Sequence, residues 1–282
     1  MAKSRQALRS RIQAIENTKK ITGAMQMLAV NKFSRNLNYL RTNLEHTELI
    51  EETVQKILWA IEEMDEVYLH ENDVERKAVI VFTSDVGLCG SYNQNILQAV
   101  QEEITEEDTL IVIGKKGHFW LTEREYRVLN PVVGIEEVSE DQLQRITSRA
   151  IAAFVEERVR CVKLIYTEYV NPMVNEVKTM TLLPLTKEES IENQREILFE
   201  PSEMETLRYL IPFYLDTVIY SCLRESVVAE QAARRLSMDQ ATDNADKLLE
   251  NLRRHYQKTR QAQITQEVNE IVSGSGFGED RI

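Results

Sequence analysis

From residue 213 to residue 273 the chain runs for 61 residues with neither glycine nor proline. The other end is nearly as bare: Gly23 is the only glycine before Gly87, and the first proline is Pro131. Turn-forming residues are therefore concentrated in the middle of a 282-residue chain. Two ends without breakers can be long helices, and compact domains of ordinary helices do not need them. A helix of about 60 residues is roughly 90 Å long. A single globule of this chain length has a radius of gyration of only about 19 Å. Helices that long must project from a globular part or pair with each other.

The N-terminal segment, 1–64, reads as one helix. Leu8, Ile12, Ile15, Thr22, Met25 and Leu28 keep near-heptad spacing, and the pattern resumes at Leu37, Leu40, Leu44, Thr47, Ile50, Val54, Ile57 and Ile61. That narrow stripe is the seam of a coiled coil. The C-terminal segment, 203–273, starts after Ser202, an N-cap candidate with Glu203 and Glu205 in the first turn. Pro212 predicts a kink or a restart. The stripe then passes through Tyr214, Val218, Cys222, Ala229, Ala233, Leu236, Ala241, Ala245, Leu248, Leu252, Tyr256, Ile264, Val268 and Ile271, and Gly274, Gly276 and Gly278 end it. The economical arrangement is a long antiparallel coiled coil of the two ends.

The middle, 77–190, reads as a small Rossmann-like α/β domain. Strands are expected at 77–84, 109–114, 161–170 and 176–185, and helices at 91–104, near Phe119, and at 139–159. Strands alternating with helices imply a βαβ sheet with mostly parallel strands.

Charge is segregated along the chain. Residues 1–41 carry nine basic side chains and one acid, the middle 42–223 sixteen against thirty-five, and 224–282 nine against ten, within a total of −12. A basic N-terminus suggests a nucleic-acid or lipid arm, or a targeting peptide. The targeting reading is disfavoured because the stripe continues past any cleavage point. No apolar run is long enough to cross a bilayer. Cys89, Cys161 and Cys222 lie far apart with no CxxC spacing, which fits a reducing compartment and neither a zinc module nor a disulfide scaffold.

Catalytic signals are weak. The first βα turn, Ser84-Asp85-Val86-Gly87-Leu88-Cys89-Gly90, lies where a doubly wound sheet binds ligands, yet has neither GxGxxG nor GxxxxGK[ST]. The second, Gly114-Lys115-Lys116-Gly117, could hold a phosphate on a helix N-terminus. Tight turns are the plainer reading of both. Cys89 has no histidine near it in sequence, and His46, His70, His118 and His255 form no metal-ligand spacing. What stands out instead are polar residues on the long helices: Asn17, Thr18, Thr22, Asn31, Thr242, Asp243, Asn244, Arg260, Gln261, Thr265, Gln266 and Glu267. They form either a solvated face or a shaft recognised by a surrounding partner.

Three stretches carry a family resemblance. Residues 12–32 (IQAIENTKKITGAMQMLAVNK), 84–95 (SDVGLCGSYNQN), and the set Ala232-Ala233-Arg234, Ala241-Thr242-Asp243-Asn244-Ala245 and 262–272 (AQITQEVNEIV) resemble, in order, the gamma subunits of F-type ATP synthases. The resemblance implies a long antiparallel coiled coil on a small α/β domain. It also implies a non-catalytic central-stalk rotor that binds no cofactor of its own. The implied partners are three alpha and three beta subunits, the epsilon subunit and a membrane ring of c subunits, with no nucleic acid. The implied location is peripheral, on the cytoplasmic face of a bacterial inner membrane, since the motif starts almost at Met1. Carried over by position, Arg260, Gln261 and Thr265 are expected to make catch contacts with beta-subunit loops. Glu267 and Glu270 share that signature, and Met25 and Arg234 match shaft positions that meet a beta subunit. Ser84, Asp85, Gly87, Leu88, Cys89 and Gly90 match the family's turn motif.

The chain departs from the family pattern at Gly23, where Lys or Arg is usual, and after Gly274. Gly23 costs about 1 kcal/mol of helix propensity. The paired cysteines of the chloroplast relatives are absent, so thiol regulation is not expected. Two other readings remain: a similar shaft of a specialised hydrolytic rotary ATPase or motor, and a small nucleotide-binding α/β enzyme.

Overall fold

The computed structural model describes residues 2–60, 67–187, 200 and 202–275. In order these form α1 (Ala2–Ala60), β1 (Ala78–Phe82), α2 (Tyr92–Glu103), β2 (Thr109–Ile113), α3 (Lys115–Thr122), α4 (Glu140–Val155), β3 (Val162–Asn171), β4 (Val174–Leu183) and α5 (Glu203–Ser275). The chain divides into two compact units, one of Met1–Leu28 with Arg235–Ile282, the other Ala29–Arg234. The long helices α1 and α5 each contribute to both. Several expected features lie outside the described residues: Ile61 and the helix end at Met64, residues 188–190, Gly276 and Gly278. The side chain of Leu44 does too.

In the Ala29–Arg234 unit a four-stranded sheet has the order β2-β1-β3-β4. β1 pairs in parallel with β2 and β3, and β4 runs antiparallel to β3 as a hairpin. The sheet is therefore mixed, parallel in its first three strands as expected. Strands β1 and β2 are buried along their whole length, as strands covered on both faces must be. Period-2 alternation splits them between two cores. Ala78, Ile80, Phe82, Ile111, Ile113, Val162 and Leu164 face α4 (Phe154, Ala150), the end of α1 (Val54, Ile57, Leu58) and the start of α5 (Leu207, Ile211, Leu215). Val79, Val81, Leu110, Val112 and Ile165 face α2 (Ile96, Leu97, Val100), Leu121 of α3 and Ala229 of α5.

Several expected boundaries shift for identifiable reasons. Pro212 does not restart a helix, because α5 passes through it. The neighbouring Leu207, Ile211 and Leu215 are fully buried, and their packing offsets the roughly 3 kcal/mol that an internal proline costs. Ser139 precedes α4 as its N-cap, its side chain accepting from the Gln142 N–H. The helix ends at Val155, four residues early, and Glu157 just beyond it has a positive φ of 56°. Ser202 does cap α5, accepting from the Glu205 N–H at 3.3 Å. Gly274 lies inside α5 and does not end it.

In the other unit α1 and α5 pair antiparallel. Glu16 meets Arg253 at 2.6 Å, Lys19 meets Asp246 at 2.5 Å, Thr22 meets Thr242 at 2.8 Å, and Gln26 meets Asp239 at 2.7 Å. One number rises as the other falls. On α1 the least exposed positions include Leu8, Ile12, Ile15, Lys19, Thr22 and Gln26, in steps of four and three. On α5 they include Met238, Thr242, Ala245, Leu249, Leu252, Tyr256, Thr259 and Gln263 in the same rhythm. This corrects the expected stripe: Leu28, Leu248 and Ile264 are 60%, 51% and 46% exposed. The bonds of Thr259 and Gln263 run along α5, whereas Lys19, Gln26 and Thr242 lie in the seam and each finds a cross-helix partner. Such layers specify register and add little stability.

Replacing Phe154 with alanine is expected to cost about 3–5 kcal/mol, the usual penalty for an emptied aromatic site. Trp59 and Trp120, the only tryptophans, both lie in the Ala29–Arg234 unit, so their fluorescence during urea unfolding reads this directly. A loss below about 1 kcal/mol would show that Phe154 does not support that core.

Candidate functional site

The turn after β1 is a folded object in its own right. Ser84 donates its N–H to the Asn93 side chain at 3.0 Å, the Asn93 amide donates to the Ser84 hydroxyl at 2.7 Å, and that hydroxyl lies 2.9 Å from the Val86 carbonyl. Leu88 and Gly90 take positive φ values of 65° and 61°. Cys89 is buried at 2% exposure beside Ser84, and burial pushes its thiol pKa up. A protonated, enclosed thiol is no nucleophile.

The carboxylate of Asp85 takes up amides that a phosphate would use at this turn. It accepts the N–H of Lys115 at 3.1 Å, the first residue of α3, and those of Ile135 and Glu136 at 3.0 and 3.3 Å. The next two amides of α3 are also taken: Lys116 N–H by the Ser84 carbonyl at 3.0 Å, and Gly117 N–H by the Thr83 hydroxyl at 3.0 Å. A helix N-terminus attracts anions through such free N–H groups. Here the protein supplies the anion itself. The glycines of Gly114-Lys115-Lys116-Gly117 serve close packing, since a Cβ at Gly114 would lie 2.0 Å from the Thr83 carbonyl oxygen and one at Gly117 2.4 Å from Thr83 Cγ2. The 131–137 loop lies over the strand ends, the Gly114 N–H donating to the Val133 carbonyl at 2.8 Å.

Against this turn lies a buried ion pair of α5. Glu230 and Arg234 meet at 2.5 Å with side chains only 2% and 8% exposed. Arg234 also donates to the Val86 carbonyl at 2.7 Å and points to that of Gly87 at 3.5 Å. Gln231 reaches Glu136 at 3.2 Å, and Lys32 of α1 contacts both Glu136 oxygens at 2.7 and 2.6 Å. Burial pushes the Glu230 carboxyl up to about 7, outweighing the pull of Arg234, with Glu136 and Asp85 adding to the rise. One Glu230 oxygen, Oε2, has no hydrogen-bond partner. Glu225, one turn earlier, is likewise pushed up to about 7 by burial while accepting the Tyr169 N–H at 3.1 Å.

The structure brings together Arg234 and the turn residues Ser84, Asp85, Gly87, Leu88, Cys89 and Gly90, and gives Arg234 no outward face. Arg260, Gln261, Thr265, Glu267 and Glu270 are all exposed on α5. Their local bonds run along the helix: Thr265 to the Gln261 carbonyl at 3.0 Å, Gln263 to Glu267 at 2.9 Å, and Gln266 to Glu270 at 2.9 Å. Ile264, Val268 and Ile271 are 46%, 51% and 71% exposed and recur at helical spacing. Met25 is half-buried in the same unit. Sequence reasoning missed Glu230, Gln231, Glu136 and Lys32. The Glu-x-x-x-Arg spacing of 230 and 234 was the available signal for the first. Glu136 and Lys32 are joined only by the fold.

Residues 4–276 match the family described as ATP synthase. The chain is 33% identical over 279 residues to the ATP synthase gamma chain of Mycoplasmopsis synoviae (strain 53), covering 95% of this chain and 96% of that one. It is 33% identical over 276 residues to the gamma chain of Mycoplasmopsis pulmonis (strain UAB CTIP), covering 96% and 99%. Its fold is similar to a chain in the rotor of the Euglena gracilis mitochondrial ATP synthase, at TM-score 0.69 and 15% identity over 94% of this chain and all of that one. A chain in the central stalk and c-ring structure of the Tetrahymena thermophila mitochondrial ATP synthase gives TM-score 0.56 at 24% identity, covering 78% and 99%.

The raised Glu230 pKa sets a pH dependence. Below about pH 4.5 both folded and unfolded chains hold this proton. Between 4.5 and 7 the unfolded chain releases it and the folded chain keeps it, so stability falls as pH rises, and above 7 the effect is flat. Glu230→Gln removes this term. Across that window wild type is expected to lose up to about 3 kcal/mol relative to the variant. Denaturant unfolding of both proteins at about pH 5 and about pH 7.5 measures it, and parallel profiles would rule the effect out.

Proposed function

Because this chain belongs to the F-type ATP synthase gamma-chain family, we propose that it is the non-catalytic central-stalk rotor of such a synthase, coupling ion flow through a membrane ring to ATP synthesis or hydrolysis. Its partners in this reading are three alpha and three beta subunits, an epsilon subunit and a ring of c subunits. It sits peripherally on the cytoplasmic face of a bacterial inner membrane. Among the described residues no helix is long and apolar enough to cross a membrane. The nucleotide-enzyme reading loses its support at the strand ends, where Asp85 takes the amides that a phosphate would need.

The observation that carries the reading is the end of α5. There Arg260, Gln261, Thr265, Glu267 and Glu270 stand exposed beside an exposed apolar row of Ile264, Val268 and Ile271. Apolar side chains left at that spacing suit a sleeve that closes around the helix, and polar groups between them suit contacts that form at particular rotor angles. The net +8 of residues 1–41 suits acidic loops on that sleeve. A turning, asymmetric shaft then acts as a ligand that biases three equivalent beta subunits in succession. Met25 is a second contact with a beta subunit. Arg234, being buried, reaches a beta subunit only through the turn it holds.

A tagged chain recovered from cells is expected to bring down alpha and beta subunits in equal number. Recovery without them would overturn the reading. In the assembled complex, Arg260→Ala or Gln261→Ala is expected to lower ATP turnover about two- to tenfold, the size of one lost hydrogen-bonded contact. Thermal unfolding of the isolated chain should not change. Unaltered turnover would remove these residues from the contact.

A further inference from the structure

We infer that Arg234 is a positioning residue which, anchored to Glu230, locks the 84–90 turn onto α5 so that movement of that helix is passed to the sheet. The inference rests on the rotor reading for its functional meaning and on geometry for everything else.

The last fully buried residue that α5 gives to the core around Val79, Val81 and Ile165 is Ala229, with Ala233 partly buried against the same core. The next turn of the helix carries Glu230, Gln231 and Arg234, at 1%, 1% and 7% exposure. Charged side chains are rarely enclosed so fully, and a buried pair adds little net stability over apolar residues of the same size. Stability is therefore a poor account of why the pair is there. Directionality is a better one. Apolar packing is non-directional. Interdigitated apolar side chains resist sliding, but they bind no particular backbone atom. The rigid guanidinium fork of Arg234 points two ways instead, to Glu230 on its own helix and to the Val86 and Gly87 carbonyls.

From the turn the network spreads without a gap. Asp85 holds the amides of Lys115, Ile135 and Glu136, which fixes the start of α3 and the 131–137 loop. The Glu136 side chain accepts from Gln231 of α5 and from Lys32 of α1. Both long helices are thus tied to one loop, α5 directly through Gln231 and indirectly through Arg234, the turn and Asp85. The buried half of the network carries the constraint, since the Lys32–Glu136 pair is 47% and 34% exposed and pairs of that kind contribute little.

The test separates holding the turn from stabilising the chain. Arg234→Ala leaves Glu230 enclosed without a countercharge and should destabilise the protein, which either role predicts. The double variant Glu230→Gln/Arg234→Met fills the same space without charge, and its melting temperature is expected within a few degrees of wild type. If Arg234 positions the turn, the amides of Lys115, Ile135 and Glu136 in the double variant exchange at least about tenfold faster than in wild type. Complexes carrying it then move, per ATP hydrolysed, at most about half the ions that wild type moves. Wild-type exchange rates or wild-type coupling in a stable double variant would overturn the inference. If the wild-type chain assembles with no alpha and beta subunits, the rotor reading falls, and the exchange rates still decide whether Arg234 holds the turn.

Discussion

A helix 73 residues long cannot bury apolar side chains against itself, and this constraint shapes each unit differently. In its first half α5 solves the problem with the sheet: Leu207, Ile211, Leu215, Val218, Ile219, Leu223 and Val227 are all buried in one core. In its second half only α1 is available, and one helix can cover only a narrow stripe of another. The burial pattern changes accordingly, from a broad face to alternating steps of four and three from Met238 to Gln263. Past Gln263 the described residues with assigned exposure, through Val272, are all exposed.

The change of environment accounts for what the sequence made legible. Breaker-free ends and alternating strands were enough to define the long helices, the mixed sheet and the parallel order of its first strands. Local chemistry also marked one cap, Ser202, whereas Ser139, read as part of the helix, caps α4 from outside it. Register was harder. Leu28 and Leu248 looked like seam residues because apolar side chains usually are, yet Gln26 and Leu249 hold those layers. Whether a polar residue faces a seam depends on whether its partner sits opposite, and that depends on a helix more than 200 residues away in sequence. Thr22 and Thr242 are individually unremarkable and meaningful only as a pair.

The same separation hid the site around Arg234. Family resemblance marked the turn and the arginine in two distant stretches, but neither spacing nor composition joined them. Only the fold brings the Val86 carbonyl to the guanidinium and the 131–137 loop to Asp85. The expectation that Arg234 meets a beta subunit came from the family resemblance. Its side chain is 8% exposed and is bonded to Glu230 and to the Val86 carbonyl.

The turn motif also shows how the anion-attracting edge of such a sheet can be filled by the chain's own carboxylate. A doubly wound sheet offers helix N-termini and strand ends at one edge, and that edge attracts anions whether or not function requires one. Filling it needs an acid whose carboxylate reaches several amides at once, and glycines that let the helix start close to the strand. Asp85, Gly114 and Gly117 meet those needs, and Gly134 allows the loop to come within reach of Asp85, where a Cβ would lie 2.9 Å from Oδ2. Once occupied internally, the edge becomes an attachment point. The amides that would have bound a phosphate instead bind the turn, and the turn binds the helix. Asp85 thereby joins the turn to the start of α3 and to the 131–137 loop, and Arg234 joins the same turn to α5.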